Sequence, residues 1–205
     1  MPDPATVSAI ADTITAISAA VAAGLAFYGV KAWARELHGR TQFEVARALA
    51  KTTYKFRDAI QAARSPIIWA GEFPAEHNRI VNPSAQEKAE AYAHVYQARL
   101  HPVWEAHQEF DAQTLEAEVL WGRSIREKTD QLRAIARTLN AAVDAMIDNT
   151  RSDGEAFRQD REFGQKIRSE VSAQAADAKN ELNQRIAAAV KEIEQHLLGH
   201  LRRQA

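Results

Sequence analysis

The stretch "TITAISAAVAAGLAFYGVKAWAREL", residues 13–37, decides the architecture predicted for this chain. It carries no charge from Thr13 to Val30, a run of 18 residues. As a helix rising about 1.5 Å per residue, this run covers roughly 27 Å, close to the ~30 Å hydrocarbon core of a bilayer. Small and polar residues such as Ser18 and Gly24 make it weakly hydropathic, so its flanks have to distinguish a membrane span from a secretion signal and from a buried helix of a soluble bundle.

The C-terminal flank of this run favours a membrane span. Aromatic and basic side chains gather there, as they do at a membrane interface: Phe27, Tyr28, Lys31, Trp33 and Arg35. A secretion signal carries positive charge before its apolar core, whereas no Lys or Arg precedes Lys31. A helix of a soluble bundle has a polar face, which this run lacks. We therefore predict a transmembrane helix with its flank over residues 13–38, after a short tail of residues 1–12.

The charge distribution predicts an orientation. The 26 Lys and Arg nearly balance the 27 Asp and Glu, but residues 31–65 hold eight basic and three acidic residues, a net charge of +5. A basic block after an apolar helix is typical of a juxtamembrane segment on the cytoplasmic side, although an ordinary solvated helix face gives the same pattern. We predict a single-pass protein of the cytoplasmic (inner) membrane, with its N-terminus outside and its C-terminal region in the cytoplasm. The block is too modest for nucleic-acid binding, which we do not expect.

The rest of the chain is predicted to be helical. Helix-forming residues dominate it, and the whole chain has only 8 Gly and 6 Pro. We predict an all-α fold with an antiparallel helical bundle over residues 39–151, in which Pro102 kinks or briefly breaks one helix. The helix around Thr41 either starts there or continues from the span through Gly39. Four capping boxes indicate helix starts: Thr41–Glu44, Ser84–Glu87, Ser124–Glu127 and Ser152–Glu155.

Residues 152–205 are predicted to form one long, coiled-coil-like helix. Apolar residues recur at a mean step of about 3.8 from Ile167 to Leu201, nearer to a straight helix than to the 3.5 of a heptad coil. This part alone would be about 50 Å long, so it would protrude from the bundle or pair with another chain. Ala175 and Ala178 suit a close helix contact.

A non-helical loop is predicted at residues 65–83, because Pro and Gly interrupt it repeatedly. It is apolar for a loop, with Ile67, Ile68, Trp69 and Phe73. Our interpretation is that these side chains close the end of the bundle core. The alternative is an interaction loop that contacts the membrane or a partner protein.

Reactive chemistry is not indicated by any motif, and we predict no catalytic, cofactor-binding or metal-binding residue. There is no Cys, which removes disulfide and thiolate chemistry. Two rows of His and carboxylate residues are the best metal-site alternatives: Glu90, His94, His101 and Glu105, and Glu192, His196 and His200. Pro102 disturbs the first row, and a His near a helix C-terminus is favourable by electrostatics alone. A polar cluster of Arg57, Arg64, Glu72 and Trp69 is interpreted as a tie between helix and loop.

Two segments of the chain carry a family resemblance. The first holds Trp33, Glu36, Gly39 and Arg40 and continues through Phe43, Tyr54, Arg57, Ile60, Arg64, Pro66, Gly71 and Glu72. The second is "TLEAEVLWG", from Thr114 to Gly122. Together they resemble a group of uncharacterised small bacterial proteins that have one N-terminal membrane span and a helical cytoplasmic region. The resemblance covers about residues 10–125 and implies that architecture, but no activity and no binding residue.

These features predict a membrane-anchored helical interaction or scaffold protein without catalytic activity or cofactor. The expected partners are the lipid bilayer and either another protein or a second copy of the chain. One alternative is a membrane-active effector that oligomerises through its Ala-rich span, where small residues four apart allow close helix packing: Ala20 and Gly24, or Ser18, Ala22 and Ala26. A helical metal-dependent enzyme is the second alternative.

Overall fold

The computed structural model describes the backbone of residues 4–201 and the side chains of residues 18, 20–31 and 33–201. All regular secondary structure in this range is helical. The α-helices are α1 (Pro4–Ala63), α2 (Ala85–Trp121), α3 (Arg123–Arg151), α4 (Glu155–Gln159), α5 (Arg161–Val171) and α6 (Glu181–Leu201). The predicted all-α fold is therefore confirmed.

The chain divides into two compact units, one ending at Glu44 and the other beginning at Val45. The first unit contains the N-terminal part of α1, which begins at Pro4, within the predicted tail of residues 1–12. Of the two alternatives for the helix around Thr41, a start at that residue is wrong and continuation through Gly39 is confirmed. Its hydroxyl donates back to the carbonyl of Leu37 at 3.0 Å, which a mid-helix Thr does. Gly39 costs a helix only about 1 kcal/mol, so α1 continues through it.

The most apolar part of α1 is the segment predicted to cross a membrane. No helix among the described residues is long and apolar enough to cross a membrane. The transmembrane helix predicted over residues 13–38 begins with residues 13–17, whose side chains lie outside the described ones. That span stays a prediction.

The second unit is a helical bundle built from the C-terminal part of α1 with α2, α3 and α6. Its paired residues advance along one helix while they recede along the neighbour, which defines antiparallel packing. The pairs are Asp111–Arg133 and Glu118–Arg126 for α2 with α3, Lys55–Glu109 for α1 with α2, and Tyr54–Glu194 for α1 with α6. Just after the end of α1, Ser65–Arg99 and Arg64–Asn183 continue the same two directions.

An apolar core fills this bundle. The C-terminal part of α1 buries Phe56 and Ile60, and the rings of Phe56 and Phe110 lie 5.3 Å apart. Leu132 of α3 and Ile186 of α6 complete this core from the other helices. Burying a side chain of this size contributes about 1.5–3 kcal/mol, so the four helices hold one another in place.

Of the four predicted capping boxes, only Ser84–Glu87 forms at the start of a helix. At α2, the backbone N–H of Glu87 donates to the Ser84 hydroxyl at 3.2 Å, and that of Ser84 donates to the Glu87 carboxylate at 2.8 Å. The boxes at Ser124 and Ser152 are wrong, because glycines with positive φ reverse the chain and define those starts instead. Gly122 (φ 72°) precedes α3, and Gly154 (φ 82°) precedes α4.

Pro102 does not break α2, which is one helix of 37 residues with this proline inside it. A proline removes one backbone hydrogen bond and crowds the preceding turn, at a cost of about 3 kcal/mol. Burial of Leu100 and Val103 on either side of it offsets that cost. Of the two effects predicted for Pro102, a kink or a brief break, the break is therefore wrong.

The single long helix predicted over residues 152–205 is also wrong within the described range. The chain forms α4, α5 and α6 there, separated by Asp160 and by residues 172–180. Asp160 starts α5, since its carboxylate accepts from the backbone N–H of Phe163 at 2.9 Å. Residues 172–180 leave the helical conformation because Arg64, the residue directly after α1, binds the end of α5 and the start of α6. Residues 202–205 lie outside the described residues.

Candidate functional site

The apolar segment, defined here as residues 18–30 of α1, is exposed at every described side chain. Leu25 and Phe27 have 69% and 72% of their surface accessible. A Cβ added at Gly24 or Gly29 would meet no atom within 4 Å. Soluble monomers rarely expose a contiguous apolar surface of this length.

Basic and aromatic side chains follow the apolar segment directly. Tyr28 and Trp33 are exposed like their apolar neighbours. The side chain of Arg35 donates to the backbone carbonyl of Lys31 at 3.3 Å. Within the described part of the chain neither Lys31 nor Arg35 has a carboxylate partner, although Arg40 pairs with Glu44 at 3.1 Å. All five residues predicted as the membrane-anchor flank are therefore exposed.

Arg99 of α2 fixes the predicted interaction loop. Its guanidinium donates to both carboxylate oxygens of Glu72 at 2.6 and 2.8 Å, and to the carbonyls of Ser65 and Ile67 at 2.7 and 2.6 Å. The hydrogen bond from Arg99, followed by that from the backbone N–H of Trp69, lowers the pKa of the Glu72 carboxyl. Four donated bonds from one side chain hold the first half of the loop against the bundle.

The four apolar side chains singled out in this loop divide into two pairs. Ile68 packs partly against the core, and the ring of Phe73 lies 5.6 Å from that of Tyr92. Ile67 and Trp69 are 55% and 69% exposed. One pair thus contributes to the end of the bundle, and the other remains available for contact. An interaction through the exposed pair stays a prediction.

A buried arginine joins the ends of three helices. Arg64, only 1% exposed, donates to the backbone carbonyls of Ser169 and Glu170 at the end of α5, at 3.0 and 2.7 Å. It also donates to the side-chain oxygens of Asn180 and Asn183 at 2.9 and 2.5 Å. Burial lowers the pKa of Arg64, and the negative charge of Glu170 partly offsets this shift by raising it. The guanidinium therefore caps α5 and orders the segment that leads into α6.

The polar cluster predicted for the helix–loop junction forms as separate contacts. Glu72 bonds Arg99 through its side chain, Arg64 bonds α5 and α6, and Arg57 pairs with Asp58 at 2.7 Å. Trp69 contributes its backbone N–H to Glu72 at 2.8 Å. The tie between α1 and the loop is wrong in its partners, because Glu72 and Arg64 bond groups of distant helices and Arg57 pairs with its neighbour Asp58.

A groove of about 430 Å³ lies between α1, α6 and residues 172–180. Ile186, Ala187 and Val190 supply apolar surface, and Arg57 and Lys191 are among its charged lining. At one end the Tyr54 hydroxyl donates to Glu194 at 2.5 Å, and this hydrogen bond raises the pKa of Tyr54. The volume suits a small ligand or one partner side chain. Ala175 and Ala178, expected to make a helix contact, line this groove instead.

The two rows of His and carboxylate residues do not converge. Of the described residues, no group of three or more His, Cys, Asp or Glu is placed to hold a metal ion. In the first row, His101 faces only Glu105, at 3.8 Å. In the second, Glu192 accepts a hydrogen bond from Gln131 at 2.7 Å, and His196 and His200 lie against Trp121. The ring of His200 stacks on Trp121 with centroids 4.4 Å apart.

Sequence reasoning missed Arg99 and the partners of Arg64. Arg99 acts on residues 27 to 34 positions away and Arg64 on residues more than 100 positions away, so their contacts depend on how the bundle closes. One signal was available: the asparagines at positions 180 and 183 favour a helix start over a continuous helix.

Comparison of the chain with protein-family models, with curated proteins and with solved structures gives no significant match. The resemblance to small bacterial single-span membrane proteins therefore stays a prediction.

Proposed function

We propose that this chain is a membrane-anchored helical interaction protein, in which α1 holds the bundle at a lipid bilayer and the bundle binds a protein partner. The single observation that carries the proposal is the exposure of the uncharged apolar segment of α1. A bilayer is the environment that best matches this segment, because the helical length of the uncharged run from Thr13 to Val30 approaches the thickness of the hydrocarbon core. The resemblance to bacterial single-span proteins supports the same architecture.

The proposed orientation is single-pass in the cytoplasmic membrane, with the N-terminus outside. Lys31 and Arg35 follow the apolar segment, and Arg47 and Lys51 continue the basic block, so the positive charge lies on the C-terminal side. By the positive-inside rule the bundle is then cytoplasmic. The exposed Ile67 and Trp69 are the side chains that we expect to contact a partner, since exposed Trp is enriched at interfaces.

The proposal is tested by membrane fractionation of cells that express the full-length chain with a topology reporter at either end. We expect the chain to stay in the membrane pellet after carbonate extraction, with the N-terminal reporter outside and the C-terminal one inside. Release by carbonate, or an N-terminus inside the cell, would contradict the anchor. Crosslinking in cells, compared between the wild-type chain and Trp69→Ala, then tests the partner contact.

A membrane-active effector is the second candidate, favoured by the open space around Gly24 on a face of small residues. Two such faces can pack closely in lipid and oligomerise. This function predicts growth arrest on overexpression, relieved by Gly24→Leu and not by Gly29→Leu. Equal growth of cells expressing the wild-type chain and cells expressing Gly24→Leu would exclude it.

A further inference from the structure

Three side chains with complementary chemistry share one face of α1 just after the apolar segment. Tyr28, Lys31 and Arg35 are spaced three and four residues apart, which places them on the same side of a helix. Each is exposed. Glu36 follows Arg35 by one position and so lies on a different face. The stripe therefore presents one phenol and two cations together.

Most other basic residues of α1 differ from these two in being paired. Arg40 pairs with Glu44, Lys55 with Glu109 and Arg57 with Asp58. Within the described residues, no carboxylate lies within ion-pair distance of Lys31 or Arg35. Their charge is thus available to an anion from outside the chain, at the end of the segment proposed to enter the bilayer.

We propose that Tyr28, Lys31 and Arg35 form a headgroup site that selects anionic phospholipids over zwitterionic ones. The two cations bind the lipid phosphate, and the Tyr28 hydroxyl donates to its ester or glycerol oxygens. An aromatic ring beside cations suits the interface, because the ring lies among headgroups while its hydroxyl stays hydrated. This inference rests on the proposed membrane anchor and names the lipid class that the anchor prefers.

Trp33 provides the probe for this site. It lies between Lys31 and Arg35 in the sequence, about 3 Å along the helix axis from each, but on the opposite face. Replacing Trp69, Trp104 and Trp121 by Phe in the full-length chain leaves Trp33 as the one tryptophan. The chain is reconstituted in vesicles, and the quenching of Trp33 by brominated phosphatidylglycerol is compared with that by brominated phosphatidylcholine. Thermal unfolding confirms that the Phe replacements preserve the fold.

We expect quenching by both lipids, with a preference for phosphatidylglycerol that falls about 25-fold in Lys31→Gln/Arg35→Gln, since each of the two cations near an anionic surface contributes a factor of about five. The matched control is Arg47→Gln/Lys51→Gln, which removes two cations of α1 that also lack ion pairs within the described residues. It should keep the preference. Free glycerol phosphate should leave quenching unchanged.

The outcomes separate the inference from the anchor. Equal quenching by both lipids, or an unchanged preference in Lys31→Gln/Arg35→Gln, overturns the headgroup site and leaves the anchor standing. If Arg47→Gln/Lys51→Gln loses the preference for phosphatidylglycerol equally, the preference is a general charge effect, which also overturns the site. If free glycerol phosphate reduces the quenching, the ligand of the site is a soluble phosphate, and the lipid headgroup site is overturned. No quenching of Trp33 by either lipid overturns both the anchor and the site.

Discussion

Arg64 and Asn183 are hydrogen-bonded in the interior of the bundle although 119 positions separate them, with Nη1 donating to Oδ1 at 2.5 Å. The amide nitrogen of Asn183 in turn donates to the carbonyls of Gln174 and Asp177, both at 2.9 Å. Arg64 thus organises the segment between α5 and α6 through Asn183. The groove beside α6 has this segment as one wall, so its shape depends on the same contact.

Arg64→Met should therefore lower the free energy of unfolding by about 3–5 kcal/mol, because it leaves buried carbonyl and amide oxygens without a donor. The measurement is urea denaturation of the purified full-length chain in mild detergent, followed by circular dichroism. Arg137→Met is the control, since Arg137 is exposed and makes no hydrogen bond or ion pair among the described residues; it should change stability by less than about 0.5 kcal/mol. A loss below about 1 kcal/mol for Arg64→Met would contradict the role of this residue.

Gly164 of α5 is packed so closely that no side chain fits. A Cβ at this position would lie 2.7 Å from Cβ of Phe157 and 2.9 Å from its Cγ. Gly164→Ala should therefore destabilise the bundle by about 1–3 kcal/mol through overpacking, although Ala is the better helix former.

Gly199→Ala is the matched control in α6, where an added Cβ meets nothing within 4 Å. This change should raise stability by a few tenths to about 1 kcal/mol, through helix propensity alone. Thermal unfolding of both variants checks the pair. Equal shifts in the melting temperature would show that the contact with Phe157 relaxes without cost.

The sequence was sufficient for the helical class and for most of the buried faces. Ile186 and Ile193, on the apolar stripe recognised from Ile167 to Leu201, are buried, because a period near 3.6 residues is a local property of the chain. The break after Val171 could not be foreseen from that period, since the apolar stripe continues through it at Ala175 and Ala178. A tertiary contact from Arg64 opposes the local helix propensity there and prevails.

Glu72 should make stability depend on pH in the acidic range. Its folded-state pKa is lowered below the ordinary value of 4.5, first by the hydrogen bond from Arg99 and then by that from Trp69. A carboxyl of this kind contributes stability that is present above the unfolded pKa and is lost as the pH falls through the folded one. Glu72→Gln should therefore weaken the bundle at neutral pH and show a smaller further loss below about pH 4.5.

The control for this prediction is Glu76→Gln, because the Glu76 side chain makes no hydrogen bond or ion pair within the described residues. It should keep the wild-type dependence on pH. Urea midpoints at about pH 7 and pH 3.5 suffice for the comparison. The same fall for the wild type and for Glu72→Gln would show that the bond from Arg99 to Glu72 does not contribute to stability.

The candidate sites were predictable from the sequence only where they depend on composition. The apolar segment and its flank are contiguous, so Phe27, Lys31 and Trp33 were identified without a fold. Arg99 could not be identified, because nothing in its neighbourhood on α2 indicates that it reaches Ser65 and Glu72. Side chains that act across the bundle become visible only when the helices are placed.

The contact of His196 with Trp121 should make the bundle sensitive to mild acid. The rings lie 5.7 Å apart edge to face, and neither His196 Nε2 nor Trp121 Nε1 has a hydrogen-bond partner among the described residues. Burial, followed by the charges of His200 and Lys128, lowers the pKa of His196 below its ordinary value of 6.5. The unfolded chain therefore takes up a proton near pH 6.5 that the folded chain resists, and stability falls as the pH decreases below that value.

We expect His196→Gln to lose less stability than the wild type between about pH 7.5 and 5.5. The control is His94→Gln, at an exposed position, which should behave like the wild type. Urea midpoints at the two pH values measure this difference, and equal losses for all three chains would place the acid sensitivity elsewhere.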